Sequence, residues 1–343
     1  MSATTDSTTG TSGKAGGRAA DRPGVRTRAG VGWGDLAWLT WRQHRWTVLA
    51  TLAIALVGAV GMLWVRAIFL EEAASGYPVR TWVGDYTELG HTLPTGLVLY
   101  GTFIGAVWGA PMLAWEYDQR THVVAWTQDL SVTRWLVGKA AMLGAVAALI
   151  GAGLGAVAQM MANTINGVPR YVWINMFEEG FEYHPALQAA YALFGFALGL
   201  AISALVRRTV LAVGLTMVVG LLTKGFVELW LRGRYQSPFT SLVPVDEARP
   251  LGEGRGQAMY FQGGYATPDG IIPRVPDACT GPESGDMDWF RGCLKENGLT
   301  HFMEQYHPAE RLGTFRLIEV ALFLVLAAAL FAFALHRVKK SVA

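Results

Sequence analysis

Thr47-Val-Leu-Ala-Thr-Leu-Ala-Ile-Ala-Leu-Val-Gly-Ala-Val-Gly-Met-Leu-Trp-Val-Arg-Ala-Ile-Phe-Leu70 carries a single charged side chain, Arg66, along its whole length. A helix needs about 20 apolar residues to cross the hydrocarbon of a bilayer, and this run suffices alone. Five further runs do the same: 93–115, 137–162, 186–206, 209–231 and 313–336. The 343-residue chain is 52% hydrophobic and only 16% charged, where soluble chains carry roughly 25% charge. The pattern predicts an all-α polytopic membrane protein with six transmembrane helices. It excludes a soluble enzyme, a secreted disulfide-rich module and a nucleic-acid-binding domain.

Lysine and arginine in short loops set the direction of threading. One alternating set of connections holds the basic N-terminal segment, the 116–136 loop with Arg120 and Arg134, the Arg207–Arg208 turn, and the tail with Arg337, Lys339 and Lys340. The other set, 71–92 and 164–185, has only Arg80 and Arg170 among seven acids. Both termini are therefore expected in the cytoplasm and the protein in the plasma (inner) membrane. No apolar core precedes residue 46, so the first span is expected as an uncleaved anchor. Residues 1–30 have almost nothing to bury and are expected to be disordered. In 33–45, Trp33, Leu36, Ala37 and Trp41 share a helical face with Arg42 and Arg45 near Trp38, which predicts an interfacial helix.

Spans one to five occupy 46–231, and 313–343 forms the sixth span and its tail. The 232–312 stretch between them reads as a small, irregular extracellular domain. Met259-Tyr-Phe-Gln-Gly-Gly-Tyr265 predicts two short strands about a Gly-Gly turn. Asp286 is placed to cap a helix that Gly298 stops. Cys279 and Cys293 are the only cysteines, on the expected oxidising side. A disulfide closing that loop would contribute roughly 3 kcal/mol in the chain-entropy model.

Within the spans, Gly101, Gly105 and Gly109, then Gly151 and Gly155, then Gly195 and Gly199 recur every four residues. That spacing lets helix backbones approach closely. Lys224 and Glu228 are four apart and able to pair, and Arg316 and Glu319 are three apart. These intramembrane charges, with Arg66, lie toward the expected outer end. Two readings stay open: a polar lining near an outward exit, or local ion pairs with snorkelling. There is no G-x-x-x-x-G-K-[ST], no H-E-x-x-H and no intramembrane aspartate or serine–lysine pair. No catalytic, cofactor-binding or metal-ligating residue is expected.

The most informative loop follows the second span: Gly109-Ala-Pro-Met-Leu-Ala-Trp-Glu116-Tyr-Asp-Gln-Arg-Thr121-His-Val-Val-Ala-Trp126-Thr-Gln-Asp-Leu-Ser-Val-Thr-Arg134-Trp-Leu-Val-Gly-Lys139. An apolar span ends in acids, and a short amphipathic stretch leads to a basic start of the next. These residues resemble the permease subunits of ABC-2 type transporters, in particular a bacterial subgroup with Gly-Ala-Pro, an acidic pair, Gly-Thr-His, Ala-Trp-Thr-Gln and Arg-Trp. Cys293-Leu-Lys-Glu-Asn-Gly298, Tyr306-His-Pro-Ala-Glu-Arg311 and Phe315-Arg-Leu-Ile-Glu319 extend the resemblance to the sixth span. Arg120 stands where the subgroup has glycine.

The resemblance implies a six-helix half-transporter, an exporter subunit that pairs with a separate ABC ATPase. It also implies that the 116–136 loop acts as a coupling helix, with Glu116, Asp118, Thr121, His122, Trp126, Gln128 and Arg134 facing that ATPase. A homodimer or a sister permease would enclose the path of an unidentified substrate. A membrane sensor using 232–312 for an external ligand is the competing expectation.

Overall fold

A computed structural model describes residues 32–75, 83–118, 131–167, 174–247, 257–280 and 285–340. Among them, six helices are long and apolar enough to cross a membrane. Span 1 is one unbroken helix, Trp33–Ser75. Residues 33–45 are thus its first turns, continuous with the first span and not set apart from it.

Span 2 is composite. Val83–Thr92 leads through a 3-10 turn at Leu93–Thr95 into Gly96–Ile104, a π turn at Gly105–Gly109, and Ala110–Asp118. Span 3 is Val132–Asn166, with the Ser131 hydroxyl accepting from the Arg134 N–H at its start. Span 4 is Pro185–Val206, its first position taken by a proline that has no N–H to leave unsatisfied. Span 5 runs from Thr209 to Phe226, then through a second π turn, Val227–Leu231. Span 6 is Leu312–Lys340.

Spans 2 and 4 form the centre, with 72% and 78% of their apolar windows buried, while the other four lie outside them at 22–33%. The glycine repeats explain this arrangement. Gly101 and Gly105 of span 2 face the carbonyls of Tyr191 and Gly195 in span 4, and Gly109 faces that of Phe196. Gly195 and Gly199 of span 4 face the carbonyls of Gly101 and Gly105 in return, so a Cβ at any of the five would overlap backbone. Gly151 and Gly155 of span 3 make room for Tyr100 and for the backbone of His184 and Gln188. All three repeats are thus spent on contacts within one chain, around span 4.

The inserted segment between spans 5 and 6 is not irregular and not all-α. It holds three antiparallel strands, β1 (Phe239–Pro244), β2 (Met259–Ala266) and β3 (His301–His307), in the order β1-β3-β2. The expected Gly-Gly hairpin is absent: Gly263 and Gly264 lie inside β2, paired with Glu304 and Met303. Gly264 is small because Ile272 crosses it, with Cγ2 only 2.6 Å from where a Cβ would sit. The chain turns at Gly270 instead, with φ +78° and its N–H bonded to the Thr267 carbonyl.

The capped helix is present at Met287–Glu296. The Asp286 carboxylate accepts from the N–H groups of Asp288 and Trp289, and Gly298 at φ +79° follows its end. Leu294 packs with Val245 and Leu299 in a small core. Cys279 and Cys293 are bonded to each other.

Candidate functional site

At one end of the bundle, Glu116, Asp118 and Arg134 are all engaged with neighbouring spans. Lys139, one of the most buried side chains of the protein, donates from Nζ to Glu116 Oε1 at 2.7 Å and lies over the Trp135 ring. An ammonium in the apolar interior needs such a partner, and this one ties span 2 to span 3. Asp118 Oδ2 accepts from both the N–H and the hydroxyl of Thr209, at 3.0 and 2.5 Å. A carboxylate at a helix N-terminus satisfies free N–H groups and meets the positive end of the helix dipole, so span 2 also caps span 5.

Arg207 closes the two-residue turn between spans 4 and 5 in the left-handed conformation, φ 56°, and stacks on Tyr117. Arg134 lies 4.9 Å from the Trp33 ring. Spans 1, 4 and 5 are thereby held at this end to span 2 or to span 3. Arg120, Thr121, His122, Trp126 and Gln128 lie outside the described residues. The loop they belong to is carried by that clamped rim.

The opposite end holds a buried ionic cluster, and its pairing differs from the one expected. Lys224 pairs with Glu182 at 2.6 Å, not with Glu228. Glu319 pairs with Arg232, which donates from Nε and Nη2 at 3.0 Å each, and not with Arg316. Tyr191 and Tyr235 also donate to the Glu319 carboxylate, at 2.6 and 3.2 Å. Arg316 turns to the carbonyls of Gly180 and Phe181, at 2.7 and 3.0 Å. Arg232 sits 3.6 Å from Glu182 and 3.9 Å from the Phe181 ring. Glu182, Lys224, Arg232, Arg316 and Glu319 are all buried.

The π turn explains the choice of partners. Eight residues of uninterrupted α-helix would leave Lys224 and Arg232 about 80° apart around the axis. The π turn, with the Arg232 N–H bonded to the Val227 carbonyl, absorbs one residue and reduces that angle to about 20°. Both cations then face Glu182 and Glu319, and Glu228 is left half-buried. Arg66, on span 1, donates to the Thr164 hydroxyl of span 3 at 3.1 Å.

Glu182, Arg232, Tyr191 and Lys139 were not singled out from sequence. A signal existed: a lysine or arginine inside or beside an apolar run requires a counter-charge, and Glu182 is one of three acids clustered at 178–182. The segment that brings Glu182 inward is pinned on its other face to the inserted domain. Asn175 donates to the Ala258 carbonyl, and Gln257 donates to that of Ile174, at 2.9 Å each. Below the sheet, His307 Nε2 donates to the Gly233 carbonyl at 3.1 Å, and its Nδ1 accepts from Arg311 at 3.1 Å. Burial, aided by Arg311, holds the His307 pKa below its ordinary value.

No group of three or more metal-ligating side chains occurs among the described residues. The arrangement is a central helix pair clamped at one end by span-to-span polar contacts and closed at the other by a buried salt-bridge cluster.

No curated protein sequence matches the chain. The family model for proteins described as ABC-2 membrane transporter related matches residues 48–232, more than half of the chain and all of spans 2 to 5; the protein is a multi-pass membrane protein of that family, with a permease-like role.

Proposed function

We propose that this chain is the membrane subunit of an ATP-driven exporter and couples to a separate ABC ATPase through the 116–136 loop. The observation that carries the reading is the clamped rim on which that loop is mounted. Lys139–Glu116, Thr209–Asp118 and Arg207–Tyr117 join the ends of spans 2, 3, 4 and 5. A push on the loop is then delivered to four helices together and is not absorbed by one flexing turn. Family membership supports the same role. The chain has no nucleotide-binding loop of its own, so hydrolysis falls to a partner.

The basic residues of the rim and tail favour a cytoplasmic setting for this end and for both termini. The Cys279–Cys293 bond supports an extracellular setting for the inserted domain, since disulfides persist in oxidising compartments. Two copies of the chain, or one copy and a sister permease, enclose the substrate path.

The test is co-purification of an ATPase from the native membrane. Trp126→Ala with Gln128→Ala should abolish it while membrane insertion is unchanged. Undiminished co-purification would overturn the coupling role. The sensor reading predicts a full response to an external ligand in cells with no partner ATPase, and the same strains decide it.

A further inference from the structure

Span 1 packs along span 3 and leaves a crevice between itself and span 2. The crevice has two chambers, each of about 320 Å³. The one near the rim is the more polar of the two, with Gln43, His44, Thr47 and Glu116 set among Val107, Pro111, Met112 and Trp115. The other runs deeper and is almost wholly apolar, between Ile54, Gly58 and Met62 of span 1 and Leu97 and Phe103 of span 2, with Leu154 of span 3 as its floor. The two are stacked end to end. Thr47 and Thr51 are one helical turn apart on span 1, as Val107 and Phe103 are on span 2. A Trp108 Nε1–H to Thr51 Oγ1 hydrogen bond of 3.1 Å marks the boundary between them.

Length and charge narrow the occupant. From Thr51 to Met62 the apolar chamber is about 16 Å deep at 1.5 Å per residue, roughly half of a 30 Å hydrocarbon core. That is the depth of one leaflet. In the polar chamber the Glu116 carboxylate is already matched by Lys139, so the wall offers hydrogen bonds and an aromatic face without an excess charge. Ile54, Leu99 and Phe103 are exposed on the lipid-facing side, which leaves the crevice open sideways to the bilayer.

The geometry points to a binding site for an amphiphile with an uncharged hydrogen-bonding head and an apolar chain one leaflet long, taken laterally from the leaflet on the rim side. Calling this molecule the transported substrate rests on the proposed exporter role. Its binding does not, and is measured on the permease alone.

The probe is a dodecyl glucoside with a diazirine at mid-chain, irradiated with the full-length protein in phosphatidylcholine nanodiscs and mapped by mass spectrometry. Labels should concentrate in 51–62 and 93–103 and be displaced by unlabelled dodecyl glucoside. Gly58 and Gly96 line the chamber, and a Cβ at either meets no atom within 4 Å, so Gly58→Phe and Gly96→Phe fill the crevice without opposing backbone. Each should cut crevice labelling about tenfold, the factor of about 1.4 kcal/mol. Gly153→Phe, on span 3 with the same freedom, should leave it unchanged.

Labelling spread equally over spans 5 and 6, or persisting in both crevice variants, overturns the site. So does equal crevice labelling by a photoreactive phosphatidylcholine, which would make the occupant ordinary boundary lipid. Failure of any ATPase to co-purify with the unaltered chain, with crevice labelling intact, would overturn the exporter reading and leave the site standing.

Discussion

Single residues decide which charges the interior tolerates. Glu319 receives donors from Arg232, Tyr191 and Tyr235, so removing it strands a buried guanidinium. Glu319→Ala should destabilise the folded protein by about 3–5 kcal/mol, the range for breaking a buried ion pair, seen as a lower unfolding temperature in detergent. Glu228→Ala should change stability by no more than about 0.5 kcal/mol, because Lys224 is held by Glu182. Equal effects from the two would restore the local pairing that spacing alone suggests. His307 makes a prediction about pH. Its folded pKa lies below the ordinary histidine value, so the folded protein holds fewer protons there than the unfolded chain does. Its contribution to stability is complete above about pH 6.5 and is lost as pH falls through the folded value, when a protonated Nδ1 would face Arg311. Protease resistance of the inserted domain should therefore fall between neutral pH and pH 5, and His307→Gln should flatten that dependence.

At the scale of elements, glycine in spans 2 and 4 acts as a spacer and not as a source of flexibility. Gly195→Ala places a methyl group against the Gly101 carbonyl and should cost about 1–3 kcal/mol, as overpacking of a close contact does. Gly214→Ala, where a Cβ meets nothing, should be neutral or slightly stabilising, since alanine is the better helix former. Thermal unfolding of the two variants separates packing from propensity. The repeat was legible in sequence, but its partner was not. A four-residue glycine spacing states that some backbone comes close, and the choice among spans 3, 4 and a second copy depends on where all six helices settle. The π turn at Val227–Leu231 was invisible for a related reason, since nothing in its residues marks the extra one, while Gly105–Gly109 has glycine at both ends and Pro111 two residues beyond, poor helix formers that mark an irregularity without fixing its kind.

For the whole molecule, the inserted domain is fastened to the sealed end through the Asn175–Ala258 and Gln257–Ile174 hydrogen bonds. A disturbance of the domain should therefore reach the ionic cluster. Reduction of the Cys279–Cys293 bond removes a constraint of about 3 kcal/mol on the unfolded chain. It should lower the unfolding temperature of the domain first and loosen the 174–183 segment with it, which hydrogen exchange would register at Asn175 and Met176. Loss of protection confined to the domain, with 174–183 unaltered, would show that the two are mechanically separate.

Hydropathy along the chain was enough to place all six spans, because burial in lipid is decided residue by residue over about 20 positions. The cysteine bond, the Asp286 cap and the Gly298 stop were equally local and equally readable. The pairing of charges, the β2 strand through Gly263 and Gly264, and the convergence of three glycine repeats on span 4 were settled only in three dimensions. Each depends on a partner far away in sequence: Glu319 lies 87 residues from Arg232, and Gly263 and Gly264 pair with Glu304 and Met303 of the strand that follows the helix. Spacing names the residues able to make such contacts, and the competition among all simultaneous contacts selects the ones that form.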